Sequence, residues 1–454
     1  MPKGKKSTDL AKDPLGRLLM KLALPAILAQ VVNMLYNIVD RIYIGHIPGT
    51  GAIALTGIGL CLPIILIIMA FSALAGIGGA PRAAIYMGKK DMDSANKILG
   101  SCFLMLTGLA VLLMVFFLTS GRQLLFLFGA SSQTISYAWG YLRIYILGTL
   151  FVMYSIGLNS FITTQGFSLV GMGTILIGAA ANIVLDPIFI LPWGLGMGAA
   201  GAGLATFLSN CVACVYFFVL LYKKRGKTFV CIKLSMFRAR REIVFGIFGV
   251  GIPASIQNLL NVTGMTVLNN FTSSYGADAV AAMGIVQKIN MVPMQVAMGF
   301  SQGIMPLVSY NYASGNSPRM KKTVAFTAKI VVCFLTTMTA VFYFGAEMLI
   351  RLFMKNQIIV DYGTKFLRGM CLGLVFLAVD FLAVGVFQAC GMGKKALVFA
   401  LLRKVVLEIP ALFILNHIYP MYGLAYAQCS AEVILAITAC IVLLRLFKKL
   451  EKEL

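Results

Sequence analysis

Residues 24–40, LPAILAQVVNMLYNIVD, are answered 228 positions later by residues 252–268, IPASIQNLLNVTGMTVL. Both segments open on an aliphatic residue, proline and alanine (Leu24-Pro25-Ala26 and Ile252-Pro253-Ala254), after which Gln30 answers Asn258 and Asn33 answers Asn261. The register continues downstream. Gly51 to Leu55 matches Gly276 to Val280, Phe71-Ser72 matches Phe300-Ser301, and Tyr86 matches Tyr312. Leu142-Arg143 then matches Leu367-Arg368, Gly148 matches Gly373, and Gln165 lies near the position of Gln388. Finally Asp186-Pro187 falls beside Glu408-Ile409-Pro410, and Gly203-Leu204-Ala205 matches Gly423-Leu424-Ala425. The offset stays between about 220 and 229, so the chain is a duplicated unit.

The nature of that unit follows from composition. Of 454 residues 60% are hydrophobic and only 12% charged, with a mean hydropathy of +0.91, whereas a soluble chain carries about 25% charged residues. Apolar runs long enough to cross a bilayer fall at 18–40, 52–80, 98–119, 135–160, 168–190, 199–221, 244–271, 279–310, 324–344, 362–388, 396–416 and 422–446. These runs are continuously apolar rather than alternating, which excludes a porin-like barrel. The expected fold is an all-α polytopic membrane protein of twelve transmembrane helices in two pseudo-symmetric six-helix bundles. A six-helix repeat starts and ends on one side, so the two copies are parallel. We expect an N-terminal lobe at 1–222, a basic cytoplasmic linker at 223–243 and a C-terminal lobe at 244–454.

The formal net charge of +23 invites a nucleic-acid reading, but its placement opposes one. Thirty of the 38 Lys and Arg lie up to Lys21, within 82–97, 223–241, 319–329 and 394–404, and from Arg445 onward. These are alternate connections and both termini, as the positive-inside rule requires of an even number of spans with cytoplasmic ends. The implied partner of the basic face is anionic membrane lipid, not nucleic acid. The first apolar run continues past Pro25 to Asp40 without a small-residue cleavage pattern, which reads as a retained helix rather than a signal peptide. The ten cysteines, Cys231 in the linker among them, form no CxxC pair, and GxxxxGK[ST] is absent. Disulfide, zinc and nucleotide-hydrolysis roles are therefore not expected, nor is a cofactor or an enzymatic activity.

Acids inside apolar runs are costly and mark ion or substrate paths. Asp40 closes a stripe with Asn33 and Asn37, and Asn182 and Asp186 stand one turn apart just before Pro187. The three residues Asp40, Asn182 and Asp186 are the candidate ion-coupling site, taking a proton or a sodium ion. The second half is no copy here. Asp380, with Asn261 and Gln388, forms a candidate second ion or substrate site, and Glu408 and Glu432 are either further sites or packing partners of Arg403 or Arg368. A methionine- and phenylalanine-rich lining, 25 and 31 residues in all, suits lipophilic cations.

In their order and spacing, Pro25 with Gln30, the Asp40 segment, Gly51 to Ala54, Asn182 to Pro187, Ile252-Pro253, Pro306 through Tyr312 and Gly391 before Lys394-Lys395 resemble the multidrug and toxic compound extrusion family. The resemblance covers nearly the whole chain. It implies alternating access between two lobes and export of lipophilic cationic drugs in exchange for protons or sodium ions, by a monomer in the bacterial inner membrane. It also implies the first-lobe cation site at Asp40, Asn182 and Asp186. Asn261 stands where some members carry a glutamate, which argues against a complete second-lobe sodium site. The competing expectation is a flippase for a lipid-linked or polyprenyl intermediate, whose cavity would be rich in Lys and Arg; outside the basic connections, only Arg143, Lys288, Lys365 and Arg368 lie within spans.

Overall fold

Long runs of Leu, Ile, Val, Ala and Phe leave a lipid-embedded backbone one local way to satisfy its N–H and C=O groups, the α-helix. A computed structural model describes residues 13–223, 241–354 and 356–452, and every regular element among them is helical. The N-terminal arm and most of the basic linker, Cys231 included, lie outside the described residues.

The first half contains α1 (Leu15–Gly45), α2 (Gly51–Gly59), α3 (Leu62–Gly88), α4 (Met92–Leu127), α5 (Ile135–Leu147), α6 (Thr149–Gly157), α7 (Asn159–Thr164), α8 (Ser168–Ile190) and α9 (Ala199–Lys223). The second half contains α10 (Arg241–Ser273), α11 (Ala277–Ala313), α12 (Ser317–Phe344), α13 (Ala346–Arg351), α14 (Gln357–Cys371) and α15 (Leu374–Ala389). It continues through α16 (Gly393–Leu401), a π-helical turn (Leu402–Glu408), α17 (Ile409–Ile418) and α18 (Gly423–Lys452).

Eight helical stretches of the described residues are long and apolar enough to cross a membrane, and two bent pairs bring the number to ten. The pairs bend by 58° between 135–147 and 149–164, and by 45° between 357–371 and 374–389. Both breaks sit at the matched glycines, Gly148 and Gly373. Two of the twelve expected runs do not reach that standard. Gln287, Lys288, Asn290, Gln295 and Gln302 dilute α11, and the π-helical turn carries Arg403, Lys404 and Glu408 into the stretch that continues as α17. The protein is thus an all-α, multi-pass membrane protein. Its outer faces are apolar, as at Val111, Leu112, Val115 and Phe116 on α4, all exposed. Lipid is as apolar as these side chains, so cohesion depends on close packing more than on the hydrophobic effect.

The helices form two compact units. The N unit is Leu28–Ser255, and the C unit comprises the described residues up to Ile27 and from Ile256 onward. These units differ from a simple halving of the chain. Each boundary falls two residues after a repeat proline, Pro25 in α1 and Pro253 in α10, so each of these helices begins in one unit and ends in the other. Contacts within the units show why. In the C unit, a Cβ on Gly303 of α11 would lie 2.5 Å from Ala23 Cα, and one on Gly299 would lie 2.7 Å from Ile27 Cα. In the N unit, a Cβ on Gly251 of α10 would meet the Leu74 carbonyl at 2.1 Å. Backbones this close tolerate only glycine. The N-unit core gathers Ile64, Ile68, Leu106, Phe117 and Phe217, and the C-unit core Leu335, Phe366, Leu377 and Phe387.

Candidate functional site

Among the described residues there are two groups of buried acids, one in each unit. In the N unit, α8 places Asn182 and Asp186 one turn apart on its inner face, 2% and 0% exposed. Asn182 Nδ2 donates to Asp186 Oδ1 at 3.2 Å. This bond fixes the amide so that Asn182 Oδ1 is left over. Pro187 has no N–H for the carbonyl four residues back, so the backbone beside the pair has spare acceptor capacity. Asp40, partly buried on α1, acts electrostatically on Asp186 and on Tyr141 of α5, and both acids act on Tyr36. Tyr141 and Tyr145 are buried and stack 6.0 Å apart.

Three buried oxygens here, Asp40 Oδ1, Asp186 Oδ2 and Asn182 Oδ1, have no hydrogen-bond donor. No direct ion pair reaches Asp40 or Asp186 among the described residues, and adjacent Arg41 makes none with Asp40. Buried acceptors without donors are costly unless a proton or cation joins them. The rest of the expected stripe is spent locally: Asn37 is exposed and its Nδ2 donates to the Asn33 carbonyl at 2.6 Å.

The C unit is built differently. Asp380 on α15, 1% exposed, faces Arg403 of the π-helical turn, with Arg403 Nη1 3.7 Å from Asp380 Oδ2. Arg403 Nε donates to Glu432 Oε1 of α18 at 2.7 Å, and the guanidinium lies 4.8 Å from the Phe381 ring centre. One residue on, Lys404 Nζ donates to both oxygens of Glu408 at 2.7 and 2.6 Å. A Cβ on Gly264 of α10 would meet this lysine at 3.0 Å. The other residues expected at this site stand apart from the charges. Gln388 Nε2 donates to Gln257 Oε1 at 3.2 Å, and partly buried Asn261 makes no side-chain hydrogen bond to Asp380 or Gln388.

Arg403 and Lys404, counted with the basic connection at 394–404 although the expected run 396–416 also takes them in, are buried within the helical stretch and do not belong to that connection. Sequence reasoning had weighed Arg403 as a packing partner but missed the Lys404–Glu408 pair. Its signal was available, because Lys404 and Glu408 stand at i,i+4 spacing in an apolar run. Tyr36, four residues before Asp40, was missed for the same reason.

Apolar helices converging on buried acids define a membrane transporter. Residues 25–188 and 253–414 each match the MatE model, and the chain belongs to that family of multidrug and toxic compound extrusion transporters, which are secondary transporters and not enzymes. It is 32% identical over 435 residues to the multidrug export protein MepA of Staphylococcus aureus strain MRSA252, covering 95% of this chain and 94% of that one. Against the protein of the same name in Staphylococcus saprophyticus the identity is 33% over 433 residues, covering 93% and 92%. A solved structure described as the outward-facing conformation of a multidrug resistance MATE family transporter superposes with a TM-score of 0.92, covering 99% of this chain and 100% of that one. At 24% identity that likeness speaks for the fold alone.

Proposed function

We propose that this chain is an antiporter that exports lipophilic organic cations, driven by inward movement of a proton or sodium ion through the N unit. The observation carrying the proposal is the set of three donor-less buried oxygens on Asp40, Asn182 and Asp186. Such a set binds an ion when the path opens on one side and releases it when the path opens on the other, while a bound organic cation competes for the same negative charge. The names of the MepA relatives, multidrug export proteins, support the substrate class. The charge bias of the connections supports a bacterial inner-membrane location with both termini cytoplasmic. With α11 and the α16–α17 stretch counted as passes, the chain has twelve, arranged as two six-helix lobes and acting as a monomer.

Efflux of a cationic dye from proteoliposomes, under a pH gradient in one arm and a sodium gradient in the other, tests the proposal. The expected result is concentrative movement in one arm, abolished by Asp40→Asn. No response in either arm across several cationic dyes refutes antiport. The buried bases do not favour a lipid-linked anion as cargo, since Arg403 and Lys404 are held by carboxylates of their own unit.

A further inference from the structure

Asp380 and Arg403 flank a single hairpin, the first nine residues before Ala389 and the second ten after Gly393. At about 1.5 Å rise per residue both lie roughly 14–15 Å along their helices from that hairpin, near the middle of a bilayer. The third member, Glu432, is fully buried on α18. Two carboxylates on neighbouring helices at such depth would ordinarily require a cation. This chain supplies one covalently. The guanidinium hydrogen-bonds Glu432 at 2.7 Å and sits 3.7 Å from Asp380.

We propose that Arg403 is a tethered counter-ion which occupies the place of a free cation between Asp380 and Glu432 and thereby excludes sodium from the C unit.

Three features of the cluster support this. First, the turn bearing Arg403 is π-helical, and one extra residue in a helical turn shifts the direction of the side chains that follow; π-helical turns recur where a site needs such redirection. Second, the neighbouring base is already committed. Lys404 is held by both oxygens of Glu408, so it leaves Asp380 and Glu432 to Arg403. Third, both oxygens of Asp380, Oε2 of Glu432 and both terminal nitrogens of Arg403 have no hydrogen-bond partner. The guanidinium therefore neutralises the pair without saturating its oxygens, and these oxygens become sodium ligands once the arginine is removed. The inference goes beyond the antiport proposal and holds whichever ion the N unit takes.

The test is equilibrium binding of radiolabelled sodium to purified full-length protein at fixed pH, with potassium as the competitor control. Arg403→Gln is expected to gain a saturable sodium ion that the parent lacks, and Arg403→Gln combined with Asp380→Asn to lose it again. Arg403→Lys, which keeps the charge, is expected to gain none. Should Arg403→Gln not insert, Arg403→Met, which keeps the apolar stem without the charge and leaves Lys404 with Glu408, is expected to show the same gain. The unaltered arginine gives an independent measurement: any sodium bound by the parent is expected to survive Asp380→Asn and to be lost in Asp40→Asn. A correctly inserted Arg403→Gln protein without added sodium binding overturns the proposal. So does parental sodium binding that disappears with Asp380→Asn. Neither result bears on dye efflux in the N-unit test, so failure of one reading leaves the other measurable.

Discussion

The two units descend from one repeated sequence, yet they treat buried carboxylates in opposite ways. In the N unit the Asn182 amide bonds Asp186, no base pairs with Asp40 or Asp186 among the described residues, and three oxygens are left without donors. In the C unit Asp380, Glu432 and Glu408 share the space with Arg403 and Lys404. The first arrangement is unfinished without something that comes from outside. The second carries its own counter-charges, leaving three acids against two bases. Duplication supplied two scaffolds, and a few differences of charge set their buried acids apart.

The most severe way to break this comparison is Asp40→Asn, which keeps side-chain volume and hydrogen bonding while removing the ionisable oxygen pair. Gradient-driven dye efflux is expected to fall to the gradient-free rate with normal membrane insertion, whereas Asp380→Asn should leave measurable gradient-driven transport. Equal loss in both variants would place coupling in both units. A stability measurement should show the reverse asymmetry. Glu432→Gln takes the hydrogen-bonded partner from a buried guanidinium and should cost about 3–5 kcal/mol, read as a lowered unfolding temperature in detergent. Asp186→Asn strands no base and should shift that temperature little.

A finer probe is the double-mutant cycle of Asp40→Asn with Asn182→Ala, followed through ion binding. Groups serving one ion should couple by about 0.5–3 kcal/mol, and additive losses would separate them into independent roles. The smallest effect lies outside the membrane. Asp91 caps α4 by accepting from the Ser94 backbone N–H at 3.0 Å, and the Ser94 side chain together with that N–H holds its carboxyl below the ordinary carboxylate value. A group depressed in the folded state stabilises above its unfolded pKa and loses that contribution as pH falls through its folded one. Asp91→Ala should therefore lower the unfolding temperature slightly at neutral pH, and the difference from the parent should vanish under strongly acidic conditions.

Much of this architecture was legible before any coordinates. The offset of the Pro25 and Pro253 segments announced the duplication, and the spacing of Asn182 to Asp186 put both side chains on one helical face. Two things were hidden. One was the π-helical turn, for no residue pattern distinguishes an extra residue per turn from an ordinary helix, and without it Arg403 and Lys404 resemble the surface bases of Lys394 and Lys395. The other was the division of α1 and α10 between units. That depends on backbone contact at Gly251, Gly299 and Gly303, and a glycine's usefulness at a crossing is set by what approaches it, which periodicity does not record.

The division of α1 also sets a timetable for synthesis. Ala23 is made 280 residues before Gly303, the glycine it packs against. Leu18 and Leu22 at the start of α1 likewise gain their partner Leu307 only when α11 has been made. The beginning of α10, by contrast, packs against α3, which precedes it in the chain. A chain halted before residue 300 therefore leaves Ala23 without the glycine it packs against.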